Sequence, residues 1–132
     1  MRLTSSQLLV NGTFVQGSDR GIKENFATVN PKSILAKVAS LPISLWNYKA
    51  DDNKTQHVGP MAQDFAAAFG VGENDTTIST VDADGVALAA IQGLNAKLEA
   101  ELQQSRDQNA QMQDQLEHLA TRLAALEAAK EH

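Results

Sequence analysis

Residues 88–130 read LAAIQGLNAKLEAELQQSRDQNAQMQDQLEHLATRLAALEAAK, and their apolar side chains recur with a seven-residue period. With Leu88 at position a, nine of the twelve a and d positions are apolar. The polar exceptions are Asn95, Ser105 and Asn109. No glycine or proline follows Gly93, and alanine, glutamine, glutamate and leucine dominate the stretch. A sustained repeat of this kind predicts a coiled coil.

A single helix of this length would leave its apolar seam in water. At about 1.5 Å per residue it would be roughly 60 Å long, too long for a small globule to cover, so we expect an oligomer. In a parallel arrangement Glu101 at position g meets Arg106 at position e of a neighbour, and Arg122 meets Glu127 in the same way. Leucine at both a and d leaves two and three strands open.

The composition excludes several classes of protein. The chain has 132 residues and a net charge of -5, and its eleven Lys and Arg are scattered, which disfavours nucleic-acid binding. The N-terminus lacks the apolar core of a signal peptide, and no run approaches the length of a membrane span. Without cysteine the chain has no disulfide framework and no thiolate metal site. We therefore expect no cofactor, metal, nucleic acid or membrane partner.

The remaining residues, roughly eighty, make a head that is small for an independent core, so we expect it to depend on its symmetry mates. Asn11-Gly12, flanked by Leu8-Leu9-Val10 and Thr13-Phe14-Val15, predicts a β-hairpin over residues 7–16. After it, Phe26 and Val29 are expected to anchor an irregular junction over residues 22–29.

Three further elements are predicted in the head. Asn30-Pro31 predicts the start of a helix over residues 31–40, and alternation predicts a strand over 43–48. A second helix is expected over 61–69, ended by Gly70. Residues 77–81 read as a short strand or an extended entry to the long helix, with Ser79 and Asp82 as a start that resembles a capping box. The fold class is therefore α+β, a small mixed head followed by a long C-terminal helix.

Four ordered blocks of sequence are similar to a known family. They read SDRGIKEN at residues 18–25, LPI at 41–43 with WNY at 46–48, HVGPMAQDF at 57–65, and VDADGVALAAIQGL at 81–94. Over residues 18 to about 98 the chain resembles the C-terminal intramolecular chaperone domain of phage tailspikes, tail fibres and endosialidases. That family is also described as a self-cleaving peptidase domain.

The resemblance implies a homotrimer, hence a parallel trimeric coiled coil. It implies that this trimer assists folding of an upstream β-rich fibre or spike of the same polypeptide, and then cuts itself off before the motif's serine. Carried over to this chain, the scissile bond is Gly17-Ser18, the nucleophile is Ser18 and the base is Lys23. Gly21 stands where the family commonly has a bulkier residue.

The same resemblance suggests three parts of the chain: an upstream β segment at 1–17, a chaperone and peptidase head at 18–85, and a trimerisation helix at 86–132. Such a protein would be made in the bacterial cytoplasm as part of a phage tail fibre or spike precursor, or of a bacterial surface fibre. The alternative function is a permanent trimerisation cap in which Ser18 and Lys23 are idle.

The spacing of Ser18 and Lys23 leaves two geometries open. Residues five apart lie about 140° round an ideal helix and on opposite faces of a strand, so neither element joins them. Either Gly21 turns the chain back, or Lys23 meets Ser18 of a neighbouring subunit. Lysine must also be desolvated or set beside another cation to act as a base, so Asp19 and Glu24 should point away from the ammonium.

Other polar and aromatic residues receive structural interpretations. His57 before Gly-Pro reads as a hydrogen-bonded structural histidine, and Trp46 and Tyr48 as core or interface aromatics. The run at residues 51–53, Asp-Asp-Asn, lacks the spacing of a calcium loop and is expected to be a solvated turn.

Overall fold

The structure, a computed structural model, describes residues 2–3 and 7–131, and its largest element is one long helix. This helix, α3, runs over Thr80–Lys130 and begins six residues before the predicted boundary at residue 86. The nine apolar seam residues are each more than half exposed in the single chain. They are Leu88, Ile91, Leu98, Leu102, Met112, Leu116, Leu119, Leu123 and Leu126. The α+β class and the long helix are confirmed, and the pairing of helices stays a prediction.

The first helix of the head, α1 (Pro31–Ser40), has the predicted bounds. The Asn30 side chain accepts hydrogen bonds from the backbone N–H groups of Lys32 and Ser33, at 3.1 and 3.3 Å, and Pro31 occupies the first turn. The helix packs mainly against α3. Gly93 is buried at this contact, where a Cβ atom would meet the carbonyl of Pro31. The absence of a side chain at Gly93 therefore sets how closely the two helices approach.

The predicted strand over residues 43–48 is present but shorter. It forms β3 (Ser44–Trp46), which pairs antiparallel with β4 (His57–Gly59) in the register Ser44 to Gly59. The sequence does not predict β4, because a strand of three residues followed by Pro60 is too short to show the alternation of polar and apolar residues that marks a strand. The second helix, α2 (Ala62–Phe69), is confirmed, and Gly70 ends it with a left-handed backbone at φ 63°.

The predicted hairpin over residues 7–16 is wrong. Two-residue strands β1 (Arg2–Leu3) and β2 (Leu8–Leu9) pair antiparallel instead, and the residues from 10 to 19 form no strand. A type I′ turn requires a positive φ at both central residues; Gly12 has one, at 141°, but Asn11 does not. Residues 1 and 4–6, which this prediction did not include, lie outside the described residues.

Three smaller expectations also fail. Ser79 does precede α3, but its side chain makes no capping bond, so the capping box with Asp82 is absent. Val81 belongs to the helix and not to an extended entry. Phe26 and Val29 do not anchor the junction within the chain, since they are 69% and 56% exposed. Of the described hydrophobic residues only Phe65 and Ala90 are buried, at 5% and 7% exposure, so the single chain has a very small core.

Candidate active site

A single 3₁₀ turn follows the predicted scissile bond and spans Arg20–Ile22. Asp19 caps it: its carboxylate Oδ1 accepts the N–H of Gly21 at 3.0 Å, and its carbonyl accepts the N–H of Ile22 at 3.3 Å. The N–H of Lys23 then donates to the Arg20 carbonyl at 3.2 Å, and Lys23 returns to an extended backbone. The sequence forms this turn because an Asp side chain readily bonds the backbone two residues on.

The turn brings Ser18 and Lys23 together within one chain. The Lys23 ammonium donates a hydrogen bond to the Ser18 hydroxyl, with Nζ and Oγ 2.7 Å apart. Of the two geometries that the spacing allowed, the structure contains the one inside a single subunit. Gly21 is not the reason, however, because it has no left-handed φ and a Cβ there would meet only Asp19 atoms at ordinary contact distance, 3.6 Å or more.

The surroundings of the pair are open in the single chain. Ser18 and Lys23 are both exposed, and so are Ile22 and Phe26, each at 69%. Among residues 7–131, Lys23 forms no ion pair with Asp19 or Glu24, and the Asp19 carboxylate is engaged by Gly21 instead. The expectation that these carboxylates leave the ammonium free therefore agrees with the observed contacts.

Gly17, the residue before the predicted cut, has no special backbone conformation. Its φ lies outside the left-handed range, so the sharp bend that a glycine would permit is not used. A Cβ atom at this position would lie 3.3 Å from Cδ1 of Ile22, which is a tight contact. Just upstream, the Thr80 hydroxyl donates to Oε1 of Gln16 at 3.4 Å and ties the residue before Gly17 to the start of α3.

Comparison with known proteins shows that part of the chain matches a family model. A family model described as chaperone of endosialidase, and classed among peptidases, matches residues 18–71, roughly two fifths of the chain. Over residues 18–71 the chain is similar to the chaperone-of-endosialidase family. The match begins at Ser18 itself, the first residue after the predicted cut. No curated protein and no solved structure matched the chain significantly.

The chaperone-family segment contains α1, α2 and the β3–β4 pair, and it ends just after Gly70. Three of the four quoted blocks lie inside it, and the block at residues 81–94 lies beyond it. In that block the similarity remains a prediction. The catalytic assignments of Ser18 and Lys23 also remain predictions, although the two side chains are in contact.

An aromatic cluster lies on the β3–β4 pair. The ring of His57 is 5.0 Å from that of Trp46 and 5.4 Å from that of Tyr48, and Trp46 and Tyr48 meet edge to face at 4.9 Å. Such packing fits the structural interpretation of His57. Trp46, the single tryptophan of the chain, also provides a fluorescence reporter of folding.

Asp51 in the turn between β3 and β4 corrects one expectation. It is buried, at 6% exposure, rather than solvated. Its carboxylate accepts the N–H groups of Thr55 at 2.9 Å and Asn53 at 3.1 Å. These hydrogen bonds, chiefly those from Thr55, hold the pKa of Asp51 below its ordinary value of 3.8. Asp51 thus organises the turn.

The described residues, 2–3 and 7–131, offer neither a metal-binding cluster nor a membrane-spanning helix. They contain no group of three or more His, Cys, Asp or Glu side chains placed to hold a metal ion. None of their helices combines the length and apolarity needed to cross a membrane.

Proposed function

We propose that the chain is a trimeric intramolecular chaperone that assists folding of a β-rich fibre or spike upstream of it. It then releases itself by cutting the Gly17-Ser18 bond. The observation that carries the proposal is the 2.7 Å contact between Ser18 Oγ and Lys23 Nζ at the first residue of the family match. A serine and a lysine in hydrogen-bond contact supply the nucleophile and the base that amide cleavage needs.

The nucleophile adjoins the bond that it cuts, and this determines the chemistry. Neutral Lys23 takes the hydroxyl proton of Ser18 while Oγ bonds to the Gly17 carbonyl carbon, closing a five-membered ring. The carbon–nitrogen bond then breaks, and the Ser18 nitrogen takes the proton from Lys23. This leaves an ester between Gly17 and the Ser18 side chain. Water hydrolyses the ester, restoring the serine hydroxyl and producing the Gly17 carboxylate and a chain that begins at Ser18.

The base must lose its proton before the first step. A lysine in water is protonated near neutral pH, and Lys23 donates to Ser18 in the resting contact. Covering the exposed Ile22 and Phe26 with neighbouring subunits would remove water from the pair and favour the neutral amine. Cleavage would then follow assembly, so that only correctly folded trimers are released.

Trimerisation is supported by the two faces of α3. The head packs α1 against the buried Gly93, and Ala90 nearby on α3 is also buried, whereas Leu88 and Ile91 on the seam remain 64% and 61% exposed. The seam is thus left available for other copies of the helix. After the cut, the released fibre is no longer attached to the chaperone that assisted its folding. Its stability is then kinetic, which means that it is set by the rate of unfolding.

Intact mass after folding tests the proposal. The unaltered chain should lose residues 1–17 and begin at Ser18, whereas Ser18→Ala and Lys23→Arg should remain whole while still assembling. Arginine keeps the positive charge but cannot give up its proton, so it separates the role of the base from that of the charge. A trimer of unaltered chains that keeps its full mass would instead argue against cleavage and favour the alternative function, a permanent trimerisation cap.

Mixed trimers test whether the pair works within one subunit. Ser18→Ala and Lys23→Arg chains folded together should give no cleavage, because each subunit then lacks one member of its own pair. Cleavage in the mixture would show that Lys23 serves Ser18 of a neighbour.

A further inference from the structure

Asp19 follows the nucleophile and holds the turn that presents the base. Its Oδ1 atom accepts the N–H of Gly21 at 3.0 Å, and its backbone is extended, with φ -64° and ψ 137°, as at the N-cap of a helix. The turn that it caps ends at Lys23, whose ammonium lies 2.7 Å from Ser18. Asp19 thus lies between Ser18 and Lys23 in the sequence, and its carboxylate is hydrogen-bonded to neither of their side chains.

We infer that Asp19 is a positioning residue: its side chain, acting as a hydrogen-bond acceptor and not through its charge, closes the turn that places Lys23 on Ser18. This inference rests on the proposed cleavage at Gly17-Ser18. The turn is exposed and contains a single helical turn, so the cap is a large share of what stabilises it. Gly21, whose φ is not left-handed, does not force the chain into this shape.

Any effect of the Asp19 charge on the ammonium would oppose catalysis, whereas its acceptor atom favours catalysis by closing the turn. A carboxylate near an ammonium stabilises the protonated lysine, which cannot serve as base. Capping the turn satisfies the Gly21 N–H and brings the amine to the hydroxyl. Substitutions that separate charge from capping geometry therefore decide which property matters.

Three variants of Asp19 make this separation. Asp19→Asn keeps an acceptor at the same distance without the charge, Asp19→Glu keeps the charge on a longer side chain that caps poorly, and Asp19→Ala has neither. Full chains made by cell-free synthesis, recovered in urea and folded by dilution, are followed by intact mass. We expect Asn to cleave at least as fast as the unaltered chain. We expect Ala and Glu to be slower by about five-fold, the fold-change equivalent to a cap of about 1 kcal/mol.

A thiol probe reports the position of Lys23 without requiring cleavage. The chain has no cysteine, so Ser18→Cys introduces a single thiol beside the lysine ammonium, which should lower the thiol pKa. The rate of alkylation against pH, scored by mass on uncut chains, measures that pKa. Adding Asp19→Ala or Asp19→Asn to this variant removes the same charge, and any difference between them reports the cap.

The thiol pKa should be higher with Ala than with Asn at position 19, because the ammonium is no longer held close. Equal thiol pKa values, or Glu cleaving as fast as Asn, would overturn the inference. A difference in thiol pKa together with an uncut unaltered chain would keep the role of Asp19 and remove the proposed cleavage. Trp46 fluorescence on heating verifies that the compared chains are folded.

Discussion

The contact between α1 and α3 allows a sharp test, because α3 has two glycines in different surroundings. An ideal Cβ atom at Gly93 would overlap the Pro31 carbonyl, lying 2.8 Å from its carbon and 3.1 Å from Cβ of Leu35. At Gly85 no atom lies within 4 Å of the same position. Neither glycine has a left-handed φ, so alanine fits the backbone at both sites. Gly85→Ala is therefore a matched control for Gly93→Ala.

The magnitudes follow from two opposing effects. Replacing glycine by alanine inside a helix ordinarily stabilises it by about 1 kcal/mol, and Gly85→Ala should show most of this gain. At Gly93 the overlap is with backbone, which cannot rotate away, so α1 must move outward and loosen its contact with α3. Overpacking of this kind costs about 1–3 kcal/mol. Gly93→Ala should therefore be neutral or destabilising, and about 1–3 kcal/mol less stable than Gly85→Ala.

Urea unfolding of the assembled protein, followed by Trp46 fluorescence at one fixed chain concentration, measures the difference. A fixed concentration is needed because the stability of an oligomer depends on it. The Ser18→Ala background keeps every chain the same length. If Gly93→Ala gained as much stability as Gly85→Ala, the close approach of α1 to α3 would be refuted.

Three other changes test the assembly and the head. Replacing Leu116 and Leu119 by Asp puts charges into the exposed seam and should turn the trimer into monomers in sedimentation; an unchanged sedimentation coefficient would contradict the coiled coil. A chain ending at Gly85 loses Ala90 and the surface that holds α1, so it should show no cooperative thermal transition. Because the pKa of Asp51 is lowered on folding, its stabilising contribution is complete above the unfolded value near 3.8 and is lost as pH falls through the folded value. Asp51→Asn should therefore destabilise the chain at neutral pH and remove part of the acid sensitivity of its unfolding, whereas equal stability loss in acid for both chains would argue against this role.

The elements that the sequence predicted well carry strong local signals. Asn30-Pro31 predicted the start of α1 at the residue where the helix begins, and Gly70 predicted the end of α2. The heptads predicted the helix, although it begins earlier, at Thr80. The turn signal at Asn11-Gly12 gave a wrong prediction. Such a pair forms a hairpin only if the segments on either side of it pair with each other, and here Leu8-Leu9 pairs with Arg2-Leu3 instead.

The candidate site was predictable only in part. The similarity named Ser18 and Lys23, but their spacing alone could not decide whether they meet within one chain. The deciding feature is the cap at Asp19, a hydrogen bond between neighbours in sequence that leaves no periodic pattern. An Asp two residues before a glycine is a recognisable turn signal, and it could have suggested this geometry.

The segment that carries the cut is attached to α3 at both ends. Gln16 contacts Thr80 at the start of the helix, and Pro31 lies against Gly93. These two sites on the helix are separated by about 20 Å at 1.5 Å per residue, whereas the chain from Gln16 to Pro31 could span roughly 50 Å if extended. The attachments therefore bring the segment to the helix but leave more than half of its length as slack. Since the ends do not fix the conformation between them, the meeting of nucleophile and base depends on local bonds, and the Asp19 cap, at the residue directly after Ser18, is one of these.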